Sequence, residues 1–120
     1  MAWRVDFHPD FLAEFEEFSE AVQDELAALI KLLGAAGPQL GRPRADTLKG
    51  SKHANMKELR FDADNGVWRV AYAFDPERKA VLLVASNKSG VKQVRFYKIL
   101  IKRADERFDR HLAELRKTKG

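Results

Sequence analysis

The sequence predicts a single α+β domain over residues 1–120, with helices laid on one face of a mostly antiparallel sheet. Three observations predict it. Apolar residues recur at helical spacing from Phe11 to Leu33 and again from Tyr97 to Leu115. Between those segments the period changes to two, from Met56 to Asn87. Turn-forming tetrads, ADNG at 63–66 and DPER at 75–78, cut the period-two region into three pieces. With 120 residues the chain is long enough to bury a core without staples.

The elements follow in order. WRVDF at 3–7 sets Trp3, Val5 and Phe7 against Arg4 and Asp6, the pattern of a short strand. Asp10, after Pro9, is placed to cap a helix whose stripe is Phe11, Leu12, Phe15 and Phe18. Ser19 is a second cap, before Val22, Leu26, Leu29, Ile30 and Leu33 carry the stripe on to Gly34. This predicts a helix pair, or one kinked helix, with an acidic outer face. GAAGPQLGRPRADTL, 34–48, is a glycine- and proline-broken loop. MKELRFD then alternates, Asn65-Gly66 supplies a tight hairpin turn, and Val67–Phe74 and Lys79–Asn87 complete a three-stranded antiparallel meander. The last element is a C-terminal helix from Tyr97, with Leu100, Ile101, Ala104, Phe108 and Leu112 inward and Lys102, Arg103, Arg107 and Arg110 outward.

Composition narrows the class. Apolar residues make up 45% and charged residues 33% of the chain, the balance of a folded globular protein. Without cysteine there is no disulfide framework and no thiolate chemistry, metal-bound or catalytic. MAWRVDFHPDFL lacks the basic start and apolar core of a signal peptide, and no apolar run approaches the ~20 residues of a membrane span, so a cytoplasmic location without membrane contact is expected. Charge is segregated. Residues 1–47 hold four basic and nine acidic side chains, a net of −5, while residues 48–120 hold eighteen basic and nine acidic, a net of +9. Such asymmetry points to an acidic partner, nucleic acid above all, unless the charges are simply solvated.

Strand parity isolates a candidate site. Trp68, Val70, Tyr72 and Phe74 share one face, leaving Val67, Arg69, Ala71 and Ala73 on the other. In the preceding strand Lys57, Leu59 and Phe61 take the core parity, so Glu58 and Arg60 fall on the side of Arg69. With helices on one face only, Arg69 is expected on an open surface beside small neighbours. There it either pairs across the strands with Glu58 or offers a planar fork of donors to a phosphate. ASNKSGVKQVRFYK, 85–98, adds Lys88, Lys92 and Arg95 ahead of Tyr97, a set suited to holding an RNA backbone and stacking a base. Phe96 reads as helix-start packing, and His8 and His111 as structural.

Three stretches, LKGSKHANMKELRF at 48–61, NGVWRVAYAFDPERKAVLLVASNKSG at 65–90 and FYKILIKRADERFDRHLAEL at 96–115, resemble the RelE/HigB-type toxins of bacterial type II toxin–antitoxin modules, in particular their phage-derived host-inhibition branch. The resemblance spans nearly the whole chain and is most specific in ELR…WRVAYAF. It implies a RelE-like, microbial-ribonuclease-like fold and metal-independent cleavage of messenger RNA, usually on the ribosome, with inhibition of translation. It also implies a cognate antitoxin carrying a helix-turn-helix domain. Carried onto this chain, it makes Arg69 the clamp on the scissile phosphate, Lys88 a second cation at the transition state, Tyr97 an acid–base or stacking group, and Arg60 a supporting phosphate contact. Lys57, Lys92 and Arg95 would extend that phosphate contact.

One departure bears on the base. Better-known members carry lysines at alternate positions of the first hairpin strand, where this chain has Met56 and Glu58 and points Lys57 the other way. Glu58, or His53 in the GSKHAN loop, then stands as the candidate base. The departure also leaves open a ParE-type toxin that poisons a topoisomerase without a nuclease site, and the +9 half with its basic final helix leaves open a non-catalytic nucleic-acid-binding phage regulator.

Overall fold

The central hairpin is set by its turn. Asp64 and Asn65 adopt φ of 50° and 58°, the left-handed pair that a two-residue turn between twisted strands requires. Ala63 therefore pairs with Gly66, and each step back along the ladder is fixed, placing Arg60 opposite Arg69 and Glu58 opposite Ala71. The computed structural model describes residues 2–119. In order they form β1 (Val5–Phe7), α1 (Pro9–Phe15), α2 (Glu20–Ala36), a 3₁₀ turn (Gly37–Gln39), β2 (Ala45–Thr47), β3 (Lys57–Ala63), β4 (Gly66–Phe74), β5 (Ala80–Asn87) and α3 (Gln93–Lys119). The predicted α+β composition and the antiparallel meander are present.

The helix ends follow capping chemistry. Ser19 Oγ accepts the Val22 N–H, as expected, and opens α2. The α1 cap is His8 rather than Asp10: its Nδ1 accepts the Asp10 N–H, and Pro9 takes the first helical position, where its missing N–H costs nothing. α2 passes Gly34 and stops at Gly37, whose φ of 60° suits glycine and where a side chain would run into the Trp3 indole.

The sheet has five strands in the order β1-β5-β4-β3-β2, with β1 parallel to β5 and the other pairs antiparallel. β2 lies inside the stretch expected to be loop; three residues between prolines and a polar turn carry too little alternation to be read as a strand.

Both faces of the sheet are covered, which corrects the one-sided expectation. On one face Phe11, Leu26 and Leu33 of the N-terminal helices pack on Leu59, Val70 and Tyr72. On the other, Phe96, Leu100, Ala104 and Phe108 of α3 pack on Ala71, Ala73, Val81 and Leu83. The small Ala71 and Ala73 let the long helix approach the sheet. β5 serves both cores, which is why AVLLVAS shows no alternation. An irregularity opposite Ala71/Tyr72 places Leu83 and Val84 together on the α3 side.

Polar struts hold α3 down. Arg107, expected on its solvent face, instead forks onto Glu14 and bonds the Leu83 carbonyl. His111 meets the enclosed carboxyl of Asp75 at 2.8 Å, and His53 meets Asp109 at 2.8 Å. Among the described residues no helix is long and apolar enough to cross a membrane.

Candidate active site

α3 begins at Gln93, four residues ahead of the expected Tyr97, and its first turn borders an opening at this end of the sheet. There the hairpin register brings Glu58, Arg60 and Arg69 together, and the first turns of α3 bring Tyr97 over them. The Tyr97 hydroxyl donates to Glu58 Oε1 at 2.9 Å and accepts from Arg69 Nε at 3.2 Å. Arg60 Nε donates to the other oxygen, Glu58 Oε2, at 3.1 Å. Arg69 also reaches the Trp68 carbonyl at 2.9 Å, and its Nε stands 3.8 Å from Glu58 Oε1. Two arginines directly opposite on neighbouring strands would repel each other; the carboxylate set between them removes that penalty.

These groups line one side of an open pocket of about 540 Å³. Lys88, on the loop after β5, closes another side, its ammonium 5.9 Å from the centre of the Tyr97 ring. β2 and the loop after it contribute Asp46, Thr47 and Lys49, and α3 contributes Gln93 and the exposed Val94. Asp46 accepts from Arg42 at 3.0 Å and stands 3.9 Å from Arg60.

Protonation follows from these contacts. Burial pushes the Tyr97 hydroxyl up and its bond to Glu58 adds to the rise, against an opposing pull from Arg69. For Arg60 burial works against the charge, but attraction and hydrogen bonding to Glu58 outweigh it and the guanidinium is held up. The Thr47 N–H and the Arg42 guanidinium hold the half-buried Asp46 carboxyl down. The arrangement offers a carboxylate, a protonated phenol and several cations around one opening, a set able to bind a phosphodiester and to move protons beside it.

Five of the residues singled out in the sequence come together: Glu58, Arg60, Arg69, Lys88 and Tyr97. Arg69 is more enclosed than expected, with 11% of its side chain exposed, because Tyr97 and α3 lie over the face assumed open. Four residues stand elsewhere. His53 has its ring bonded to Asp109 and packed edge-on against Phe108, so it fastens a loop to α3 instead of reaching the pocket. Lys57 pairs with Tyr72 on the parity of Leu59, which puts it on the opposite face from Glu58. Lys92 just precedes α3 and Arg95 lies in its first turn; both are exposed and neither lines the pocket. Sequence reasoning missed Arg42, Asp46, Thr47 and Lys49, because they reach the site only through β2. Among the described residues no group of three or more His, Cys, Asp or Glu side chains is placed to hold a metal.

Known proteins match this architecture. The family model described as "Phage derived protein Gp49-like (DUF891)" matches residues 13–109. A protein of Mycobacterium tuberculosis (strain ATCC 25618 / H37Rv) that carries the name toxin HigB2 is 46% identical over 93 residues, 77% of this chain and 46% of that protein. The chain thus spans about half the length of that relative. Another from the same organism, named as toxin HigB3, is 44% identical over 84 residues, covering 70% of this chain and 71% of that one. Among solved structures, a free-state mutant of the E. coli toxin RelE superposes with a TM-score of 0.60 at 16% identity, over 86% of this chain and 98% of that one. The RelE of an archaeal RelE–RelB complex from Pyrococcus horikoshii OT3 matches with a TM-score of 0.54 at 16% identity, over 76% and 100% of the respective chains. At that identity the structural likeness establishes the RelE-like fold.

Proposed function

The chain belongs to the Gp49-like family of phage-derived proteins and is of RelE/HigB type, and on that premise we propose that it is the toxin of a toxin–antitoxin module, a metal-independent endoribonuclease that cleaves messenger RNA on the ribosome and is held in check by a helix-turn-helix antitoxin. The observation that carries the reading is the Glu58–Tyr97–Arg69 chain of contacts lining an open cationic pocket. RNA supplies its own nucleophile, so the protein needs only a base, an acid and charge for the phosphorane.

In this reading Arg69 and Lys88 hold the non-bridging oxygens of the scissile phosphate, with Arg60 in support. Glu58 takes the proton from the 2′-hydroxyl, whose oxygen attacks phosphorus. Tyr97 gives its proton to the departing 5′-oxygen, leaving a 2′,3′-cyclic phosphate and a 5′-hydroxyl. Glu58 then returns the proton across the 2.9 Å contact to the Tyr97 oxygen, which restores both groups. The raised affinity of Tyr97 for its proton keeps the hydroxyl protonated at neutral pH. The +9 of residues 48–120 suits a ribosomal, RNA-rich setting.

Induction without the neighbouring antitoxin gene tests this. Growth arrest with shortened transcripts by primer extension is expected, and Arg69→Ala should relieve both while circular dichroism shows the fold retained. Arrest with intact transcripts and DNA damage would assign the protein to topoisomerase poisoning instead, and no arrest at all to a regulatory role.

A further inference from the structure

We propose that the pocket binds RNA along a track of cations laid across the sheet, one beside each successive strand, with Lys49 holding a phosphate that flanks the one at Arg69. This rests on the nuclease reading above and adds to it a subsite beyond the scissile bond.

The strand order sets the track. β5, β4, β3 and β2 lie side by side. Lys88 follows the end of β5, Arg69 stands on β4, Arg60 is its partner in register on β3, and Lys49 lies two residues past the end of β2. All four line the same pocket. Neighbouring strands are ~4.8 Å apart, so the row extends roughly 14 Å across the sheet. A single phosphate, bonded at ~2.7–2.9 Å to each cation, cannot engage both ends of such a row together with its middle. A run of nucleotides can.

The cations also differ in what already neutralises them. The central pair faces Glu58, and Arg60 also faces Asp46. Lys49 and Lys88, at the two ends, have no carboxylate within ion-pair distance among the described residues. The row is therefore most in need of counter-charge at its ends: Lys88 meets the scissile phosphate beside Arg69, and a flanking phosphate of the bound strand would lie at Lys49.

Lys49 stands on a fixed mount. Before it, Leu48 is buried and its N–H bonds the Met56 carbonyl at 2.9 Å. After it, Gly50 takes a φ of 99°, a bend that suits glycine. Ser51 and the Lys52 N–H then bond Asp105 of α3, and His53 bonds Asp109. The backbone is held on both sides of Lys49, so only its side chain has to be ordered on binding. The His53–Asp109 contact thus serves the site by anchoring the loop that carries Lys49.

Non-cleavable 2′-deoxy oligonucleotides test the track apart from the chemistry. Affinity is measured for a dinucleotide with one phosphate and a tetranucleotide with three, on wild type, Lys49→Ala and Arg69→Ala. Wild type should bind the tetranucleotide more tightly. Lys49→Ala should cut that gain by roughly three- to tenfold and lower the salt slope of tetranucleotide binding by about 0.7. Arg69→Ala should weaken both oligonucleotides alike and keep the gain. Equal wild-type affinity for the two lengths, a gain undiminished in Lys49→Ala, or no binding of either would overturn the track. Binding as described in a protein that cuts no transcript in cells would instead overturn the nuclease reading and leave the track standing.

Discussion

Arg69 and Arg107 are equally enclosed, each with 11% of its side chain exposed, and they differ in what surrounds the guanidinium. Arg107 meets both oxygens of Glu14, at 2.8 and 2.6 Å, and the Leu83 carbonyl at 2.8 Å. That bidentate fork ties α3 to α1 across β5. Arg69 has a phenol at 3.2 Å, the carbonyl of its own neighbour at 2.9 Å, and a carboxylate at 3.8 Å, beyond hydrogen-bond length. It also lines the open pocket beside Lys88 and Tyr97, whose lining does not include Arg107. Burial does not separate a structural arginine from a functional one. Unused donor capacity beside an opening does.

Breaking each arginine should therefore have opposite consequences. Arg69→Ala should lower RNA cleavage by about a thousandfold, the scale of removing a transition-state charge contact, and shift the thermal midpoint little. Tyr97→Phe comes next: loss of the general acid should lower cleavage about a hundredfold. In the wild type the alkaline fall of the pH–rate profile should lie above the usual tyrosine value near 10, since burial and Glu58 keep the proton on, and in Tyr97→Phe that limb should vanish. Arg107→Ala should cost about 1–3 kcal/mol of stability in denaturant titration, because Glu14 and the Leu83 carbonyl lose their donor, while the folded protein still cleaves RNA.

The smallest effect concerns another strut of α3. Burial alone would raise the Asp75 carboxyl, but the bonds from His111 and the Lys79 N–H outweigh it and hold the carboxyl below its usual range. Because the folded value is depressed, this stabilisation is present above the unfolded value near 3.9 and is lost as pH falls through the folded one. Thermal midpoints taken from pH 5 to pH 2 should fall more steeply in wild type than in Asp75→Asn.

Much of this was legible in the sequence where local chemistry decides. The ADNG tetrad marked the hairpin, although its left-handed pair is Asp64-Asn65 and Gly66 already belongs to β4; Ser19 capped α2, and a count by two put Glu58, Arg60 and Arg69 on one face. What covers a face is a different matter. The stripe of Leu100, Ala104 and Phe108 shows that α3 must be buried on one side, yet nothing local says which face of the sheet receives it. The alanines at 71 and 73 read as an open surface when they are the seat of a helix. β2 escaped notice because three residues carry too little alternation to be read and its ladder is supplied by β3 across an intervening loop, and with it went Asp46 and Lys49. His53 looked free for proton transfer because Asp109, its partner, is 56 residues away.

The chemistry of the cut ends tests the proposed nuclease site most directly. Transcripts recovered after induction should carry 2′,3′-cyclic phosphate at the cleavage sites with the wild-type protein and should be uncut with Arg69→Ala. Equal cutting by the Arg69→Ala variant, or ends bearing a 3′-hydroxyl and a 5′-phosphate, would contradict it.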